Sequence, residues 1–228
     1  MGLDTTARFP PYDLFKSYVM ENDKKYGTDF AGSIWSNEVG FPTVGEGTLE
    51  SNGWEGQAVQ NEDSMPESVA KTLAVIAASG SRQILWYQMF DDRQKRDGFG
   101  LVWAPPGTKP ESWERKGGYW GFALVAKTLP GMKLQGTNFF PVGNEPNRFR
   151  SLLFVEEGGK GRVLLAWNDH LSETRDLTVR LGSNTSNRKL WNVDDGTSGD
   201  LKEESGYKLY PVNNGERTMV FMTWDEEN

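Results

Sequence analysis

Phe30 to Thr43, FAGSIWSNEVGFPT, is a short apolar run that ends in a carboxylate and then breaks at Gly40 and Pro42. Ile34, Trp35 and Ser36 carry no charge and favour or tolerate an extended backbone, while Gly40 and Pro42 stop regular structure just past the acid. The stretch therefore reads as a strand with Glu38 at its carboxyl end. At a strand period of two, Ile34, Ser36 and Glu38 share one face, and Trp35, Asn37 and Val39 share the other. One face can line a site while the other packs against helices. An ordinary solvated carboxylate at a strand end would carry the same local pattern, so the surrounding sequence has to decide.

Upstream, Tyr12 to Tyr26 sets Leu14, Phe15, Tyr18 and Val19 at helical spacing, with Gly27 as the stop. Downstream, a Gly-, Glu- and Asn-rich loop from Val44 to Asp63 leads to Ser64-Met65-Pro66-Glu67, a capping-box pattern with proline near the first turn. Val69, Leu73, Ile76 and Ala77 then form an apolar stripe that closes at Gly80. A second strand follows at once, Gln83 to Phe90 (QILWYQMF), ending in Asp91-Asp92. Helix, strand, helix, strand is the signature of parallel β/α units, in which function gathers at the carboxyl ends of the strands. Glu38, Asp91 and Asp92 all fall there. The two aspartates could contact hydroxyl groups, although paired acids beside DRQKRD also suit a solvated loop. After FGLVW and the prolines at 105, 106 and 110, a third helix is expected from near Ser112 to Leu129, with Tyr119, Phe122, Ala123 and Ala126 on its packing face.

From Gly136 the texture changes. RSLLFVEE, GRVLLAWND, DLTVRLG, RKLWNVDDG, GYKLYPV and RTMVFMTW are separated by Gly, Asn, Asp and Ser clusters, which suits an antiparallel β-sandwich. Leu177, Val179 and Leu181 alternate with polar neighbours, as in a half-buried strand. The expected organisation is a first domain over residues 1–136 and a second over 137–228. Asn184-Thr185-Ser186 matches a glycosylation sequon, a pattern frequent by chance.

Composition narrows the function. The chain has 228 residues, 36% of them hydrophobic and 12% aromatic, enough for a buried core. A formal charge of −7 with scattered basic residues argues against nucleic acid as a partner. With no cysteine, thiol catalysis and zinc–thiolate sites are excluded. No metal or cofactor is expected. His170, the sole histidine, sits beside Asp169 in a polar stretch, and no G-x-S-x-G elbow accompanies it, so a Ser-His-Asp triad is set aside. MGLDTTARFPPYDL lacks the basic-then-apolar pattern of a signal peptide, and no run approaches the roughly 20 apolar residues of a membrane span. The expectation is a soluble chain with no membrane partner.

The ordered series resembles the C-terminal part of a retaining glycoside hydrolase of clan A, the group built on a (β/α)8 barrel. Trp35-Ser36-Asn37-Glu38-Val39-Gly40-Phe41 is similar to the W-x-x-E-x-G setting of that group's nucleophile at the end of strand seven. Trp86-Tyr87 resembles the aromatic contribution of strand eight, and Gly98 to Val102, Lys109-Pro110 and Trp113 to Tyr119 resemble the passage into the last helix. A small β-sandwich after the barrel is a common appendage. The resemblance implies an α/β plus all-β chain: the last strands and helices of a barrel, then an antiparallel sandwich. It implies a carbohydrate substrate, Glu38 as nucleophile, and Trp86, Tyr87 and Asn37 as substrate-binding residues.

A complete barrel takes about 250 residues and eight strands, whereas two clear barrel strands are legible here. The group's acid/base lies earlier in sequence, commonly in an Asn-Glu-Pro setting. Asn144-Glu145-Pro146 comes after the barrel portion, where only a permuted barrel or a second chain would bring it opposite Glu38. The expectation is therefore a glycosidase completed by missing strands or by a partner, as a homo-oligomer or with a complementing chain. A non-catalytic carbohydrate-binding or scaffolding protein, with the sandwich as its binding unit, remains the alternative.

Overall fold

The alternation of apolar runs in the first half of the sequence becomes strand, helix and strand in space. The computed structural model describes residues 20–27, 35–40, 62–81, 83–91, 98–104, 107–137, 150–168, 173–211 and 218–227, with backbone alone at 35–38, 62 and 137. The chain divides into two compact units, residues 1–122 and 123–228.

In the first unit, helix α1 is described over 20–26 and ends at Gly27, whose φ of +68° is open to glycine at no steric cost. Strand β1 (Trp35–Val39) and strand β2 (Gln83–Trp86) pair in parallel, with helix α2 (Met65–Ala78) between them in sequence. The expected capping box does not form: Ser64 makes no side-chain capping bond, and a 3-10 turn over Glu62–Ser64 leads into the helix instead. Glu67 pairs with Lys71 one turn on, at 3.2 Å. Of the stripe Val69, Leu73, Ile76 and Ala77, the first three are buried as their spacing predicts and Ala77 is half-buried.

Strands β3 (Val102–Trp103) and β4 (Glu114–Arg115) form a short antiparallel ladder, and helix α3 (Gly117–Thr128) follows. The helix starts later than expected because a 3-10 turn over Pro110–Ser112 and β4 occupy the residues before it. Its packing face also differs. Gly118, Gly121, Leu124 and Val125 are buried, Tyr119, Phe122 and Ala123 are half-buried, and Ala126 is exposed. The cause is a close approach to α2: a Cβ on Gly121 would stand 2.0 Å from the Pro66 carbonyl oxygen. Sequence periodicity searches for large apolar residues and overlooks a face made by their absence.

The second unit is antiparallel throughout. Six strands run in the order β10-β9-β12-β7-β6-β5: β5 is Met132–Thr137, β6 Arg150–Glu156, β7 Gly161–Trp167, β9 Thr185–Trp191, β10 Ser198–Asp200 and β12 Met219–Glu226. Strands β8 (Arg175–Arg180) and β11 (Glu204–Leu209) pair separately. Leu153, Leu164 and Met222 of the large sheet share one apolar cluster with Leu177, Val179 and Leu209 of the small one. Residues of this size contribute about 1.5–3 kcal/mol each when fully buried. The opposite face is buried too, along the register row Leu152, Leu165 and Phe221. On that row Trp191 stands beside Phe221 and carries Lys127 of α3 over its ring at 4.5 Å. Among the described residues, no helix is long and apolar enough to cross a membrane.

Candidate active site

The carboxyl ends of β1 and β2 are drawn together by a few backbone contacts. Val39 stands opposite Trp86, and the Tyr87 N–H donates to the Val39 carbonyl at 2.7 Å. Gly40 then passes so close to the other strand that a Cβ there would sit 2.0 Å from the Tyr87 carbonyl oxygen and 3.2 Å from the Phe99 ring. The glycine of the Glu-Val-Gly sequence is thus a steric requirement of strand pairing.

Register holds from Trp35↔Gln83 to Ser36↔Ile84 and then shifts before Val39↔Trp86. Asn37 and Glu38 together stand opposite the single residue Leu85, so β1 carries an extra residue there. A bulge leaves the extra residue unpaired in the ladder and bends its strand. The backbone of Asn37 and Glu38 belongs to β1, and their side chains lie outside the described residues.

Trp86 is half-buried, and its indole Nε1 donates to the Phe99 carbonyl at 3.4 Å. Tyr87 is 41% exposed and meets the Phe99 ring edge-on, with centroids 5.7 Å apart. The peptide between Tyr87 and Gln88 is cis. Indole and phenol rings in this setting offer an apolar wall and a hydroxyl, the two surfaces that a sugar ring presents to a protein.

Asp91 is not the solvated loop acid that its neighbours DRQKRD suggested. Its carboxylate is buried, accepts the Gly100 N–H at 2.6 Å, and pairs with the Lys116 ammonium at 3.0 Å. Lys116 lies 25 residues away and was not singled out in the sequence. Phe99 also escaped sequence reading, because its role depends on a turn that returns to β2. Asp92, His170 and Asn144-Glu145-Pro146 lie outside the described residues.

Among the described residues no group of three or more His, Cys, Asp or Glu could hold a metal ion. An open groove of about 710 Å³ in the second unit is lined by Arg188, Lys189, Asp200 and Glu203, among others, with no aromatic residue. Lys189 pairs with Asp200 at 2.8 Å and Arg188 with Glu203 at 3.4 Å. These four charges are engaged in pairs, and the groove lacks the stacking surface found beside β2.

No protein-family model and no curated protein matches the chain. Solved structures do. The chain is similar to the GH51 arabinofuranosidase from Xanthomonas axonopodis pv. citri at 12% identity and a TM-score of 0.56, over 96% of this chain and 46% of that one. It is also similar to the α-L-arabinofuranosidase of Thermotoga maritima in its arabinose complex, at 16% identity and 0.51, over 94% and 48%. The thermostable GH51 α-L-arabinofuranosidase from Thermotoga petrophila RKU-1 matches at 14% and 0.50, over 95% and 49%. These are clan A glycoside hydrolases with a TIM barrel, and the chain spans about half the length of each. At such identities the likeness is one of fold alone: a mixed α/β chain, rich in sheet.

Proposed function

We propose that the chain is the carboxyl-terminal portion of a retaining glycoside hydrolase, with Glu38 as nucleophile and Trp86, Tyr87 and Asn37 in contact with the sugar. The observation that carries this reading is the bulge at Asn37-Glu38 beside Trp86, at the joined carboxyl ends of two parallel strands. Catalytic groups of barrel enzymes gather at that end. In this reading the first unit supplies the end of a barrel, and the two sheets of the second, with their shared core, form a β-sandwich.

Retaining hydrolysis needs two carboxyl groups about 5–5.5 Å apart, one attacking the anomeric carbon and one protonating the leaving oxygen. Glu38 is the first. The second comes from strands outside this chain, either an upstream portion of a longer protein or a partner in an oligomer. Leu85, Tyr87, Met89 and Phe90 support this, because all four are between 41% and 44% exposed along β2 and its continuation. Apolar rows of this kind are usually covered.

α-L-Arabinofuranosides are the first substrates to try, since the similar solved structures are arabinofuranosidases. The test is hydrolysis of 4-nitrophenyl α-L-arabinofuranoside and a panel of other aryl glycosides by fractions of known mass. Turnover is expected in oligomeric or complemented fractions and is lost in Glu38→Gln. Robust turnover by a monomer overturns the need for completion, and turnover that survives Glu38→Gln overturns the nucleophile. Sugar binding unchanged by Glu38→Gln, in a chain that never hydrolyses, is the signature of the scaffold alternative.

A further inference from the structure

Both candidate sugar-contacting rings are held by one short turn, Gly98-Phe99-Gly100. The Phe99 carbonyl accepts the Trp86 indole N–H and also the Gln88 N–H at 3.4 Å, while its ring meets Tyr87 and closes against Gly40. The turn is itself clamped. Asp91 Oδ1 accepts the Gly100 N–H at 2.6 Å, and the Lys116 ammonium bridges Asp91 Oδ2 at 3.0 Å and the Gly98 carbonyl at 3.1 Å. A Cβ on Gly100 would stand 2.1 Å from the Asp91 amide nitrogen, so this approach requires glycine. The Lys116 and Asp91 side chains are only 12% and 7% exposed.

A buried ion pair is weak support for stability, because desolvation offsets most of the Coulomb gain; fixing one arrangement over others is a better attested use. We propose that Asp91 and Lys116 are a positioning pair that locks the Gly98-Phe99-Gly100 turn, so that Phe99 sets Trp86 and Tyr87 at the carboxyl end of β2 for a sugar ring. This rests on the proposed role of the two rings and deepens it by naming what aims them. The pair touches no substrate itself; it acts through Phe99. Binding sites held this way depend on the supporting shell as much as on the contacting groups.

The experiment uses the full chain labelled with 5-fluorotryptophan, with the Trp86 fluorine resonance assigned by its loss in Trp86→Phe. Asp91→Asn keeps an acceptor for Gly100 and deletes the anion, and Lys116→Met deletes the cation. Spectra are recorded well below the unfolding temperature. The Trp86 resonance is expected to shift or broaden in both variants and in Phe99→Leu, while Arg180→Met, which removes an exposed pair in the second unit, leaves it in place. Arabinose titrated into the same samples is expected to bind more weakly to the first three variants. A Trp86 resonance unmoved in folded Asp91→Asn and Lys116→Met overturns the proposal and leaves the pair a plain structural tie. Should Asp91→Asn fail to fold, Lys116→Met decides against Lys116→Arg: the first must move the resonance and the second, which keeps the charge, must leave it near its original position, and equal spectra from the two overturn the proposal. Absence of arabinose binding by the unaltered chain counts against the sugar site itself and leaves the resonance test standing.

Discussion

The antiparallel unit covers both faces of its main sheet, whereas strand β2 of the parallel pair in the other unit keeps large apolar residues exposed to solvent. Leu153, Leu164 and Met222 on one face and Leu152, Leu165 and Phe221 on the other are at most 6% exposed. Along β2 and its continuation, Leu85, Tyr87, Met89 and Phe90 remain above 40% exposed. Both sets are similar in size and apolar character, so composition does not explain the contrast. What differs is the supply of a second layer. In the antiparallel unit β8 and β11 provide it for the face of Leu153, Leu164 and Met222, from a short stretch of the same sequence. Parallel strands obtain their cover from repeated β/α crossovers, and among the described residues two parallel strands are joined by the one helix α2. The exposed apolar residues lie along the second of those strands and its continuation.

The comparison can be broken most severely in the core. Phe221→Ala is expected to lower stability by about 3–5 kcal/mol, as deletions of fully buried aromatic rings do. Leu85→Ala is expected to cost less than about 1 kcal/mol, because a half-exposed site leaves no closed cavity. Urea denaturation of both variants checks this, and equal losses would erase the contrast. At the next level, Gly121→Ala forces a methyl group onto the Pro66 carbonyl and is expected to cost about 1–3 kcal/mol by overpacking α2 against α3. An unchanged melting midpoint would show that the helices can part freely.

A third experiment sharpens the exposed side of the contrast. Leu85→Lys with Met89→Lys is expected to leave stability within about 0.5 kcal/mol while reducing association in sedimentation. A chain that is monomeric before and after the change would argue that nothing docks there. The smallest effect concerns acid. Hydrogen bonds from the Lys189 ammonium hold Asp200 below its ordinary 3.8, the Thr197 hydroxyl does so for Asp195, and the Ser186 hydroxyl holds Glu227 below 4.5. Folded-state values depressed in this way stabilise the fold above the ordinary values, and the contribution disappears as pH falls through the folded ones. All three groups sit in the second unit and are fully solvent-exposed, so the loss is small and screened by salt. Asp200→Asn is expected to flatten the acid limb of a melting-temperature profile slightly.

Much of the architecture could be read from spacing. The six apolar segments after Gly136 all became strands, and Val69, Leu73 and Ile76 became the buried stripe of α2. Hydrophobic periodicity reports such features directly, because water selects for them one side chain at a time. The buried face of α3 was hidden because Gly118 and Gly121 make it by close approach. The bulge at Asn37-Glu38 was hidden because register belongs to a strand pair and neither strand encodes it alone. At the candidate site it was the resemblance to a barrel's last strand that pointed to Trp86 and Tyr87. The sequence could not point to Phe99 or Lys116, whose parts depend on a turn closing back over β2 and on an ion pair made across 25 residues.

Gly40 has a bearing on evolution within such chains. With the neighbouring strand's carbonyl where it is, even a methyl group would pry β1 from β2 at the point where the candidate acid sits. In the proposed reading, drift at the acid leaves an inert body of the same shape, while drift at the glycine deforms the shape itself. In any lineage that keeps this strand pairing, the glycine should outlast the carboxylate, and its persistence alone testifies to architecture and not to turnover.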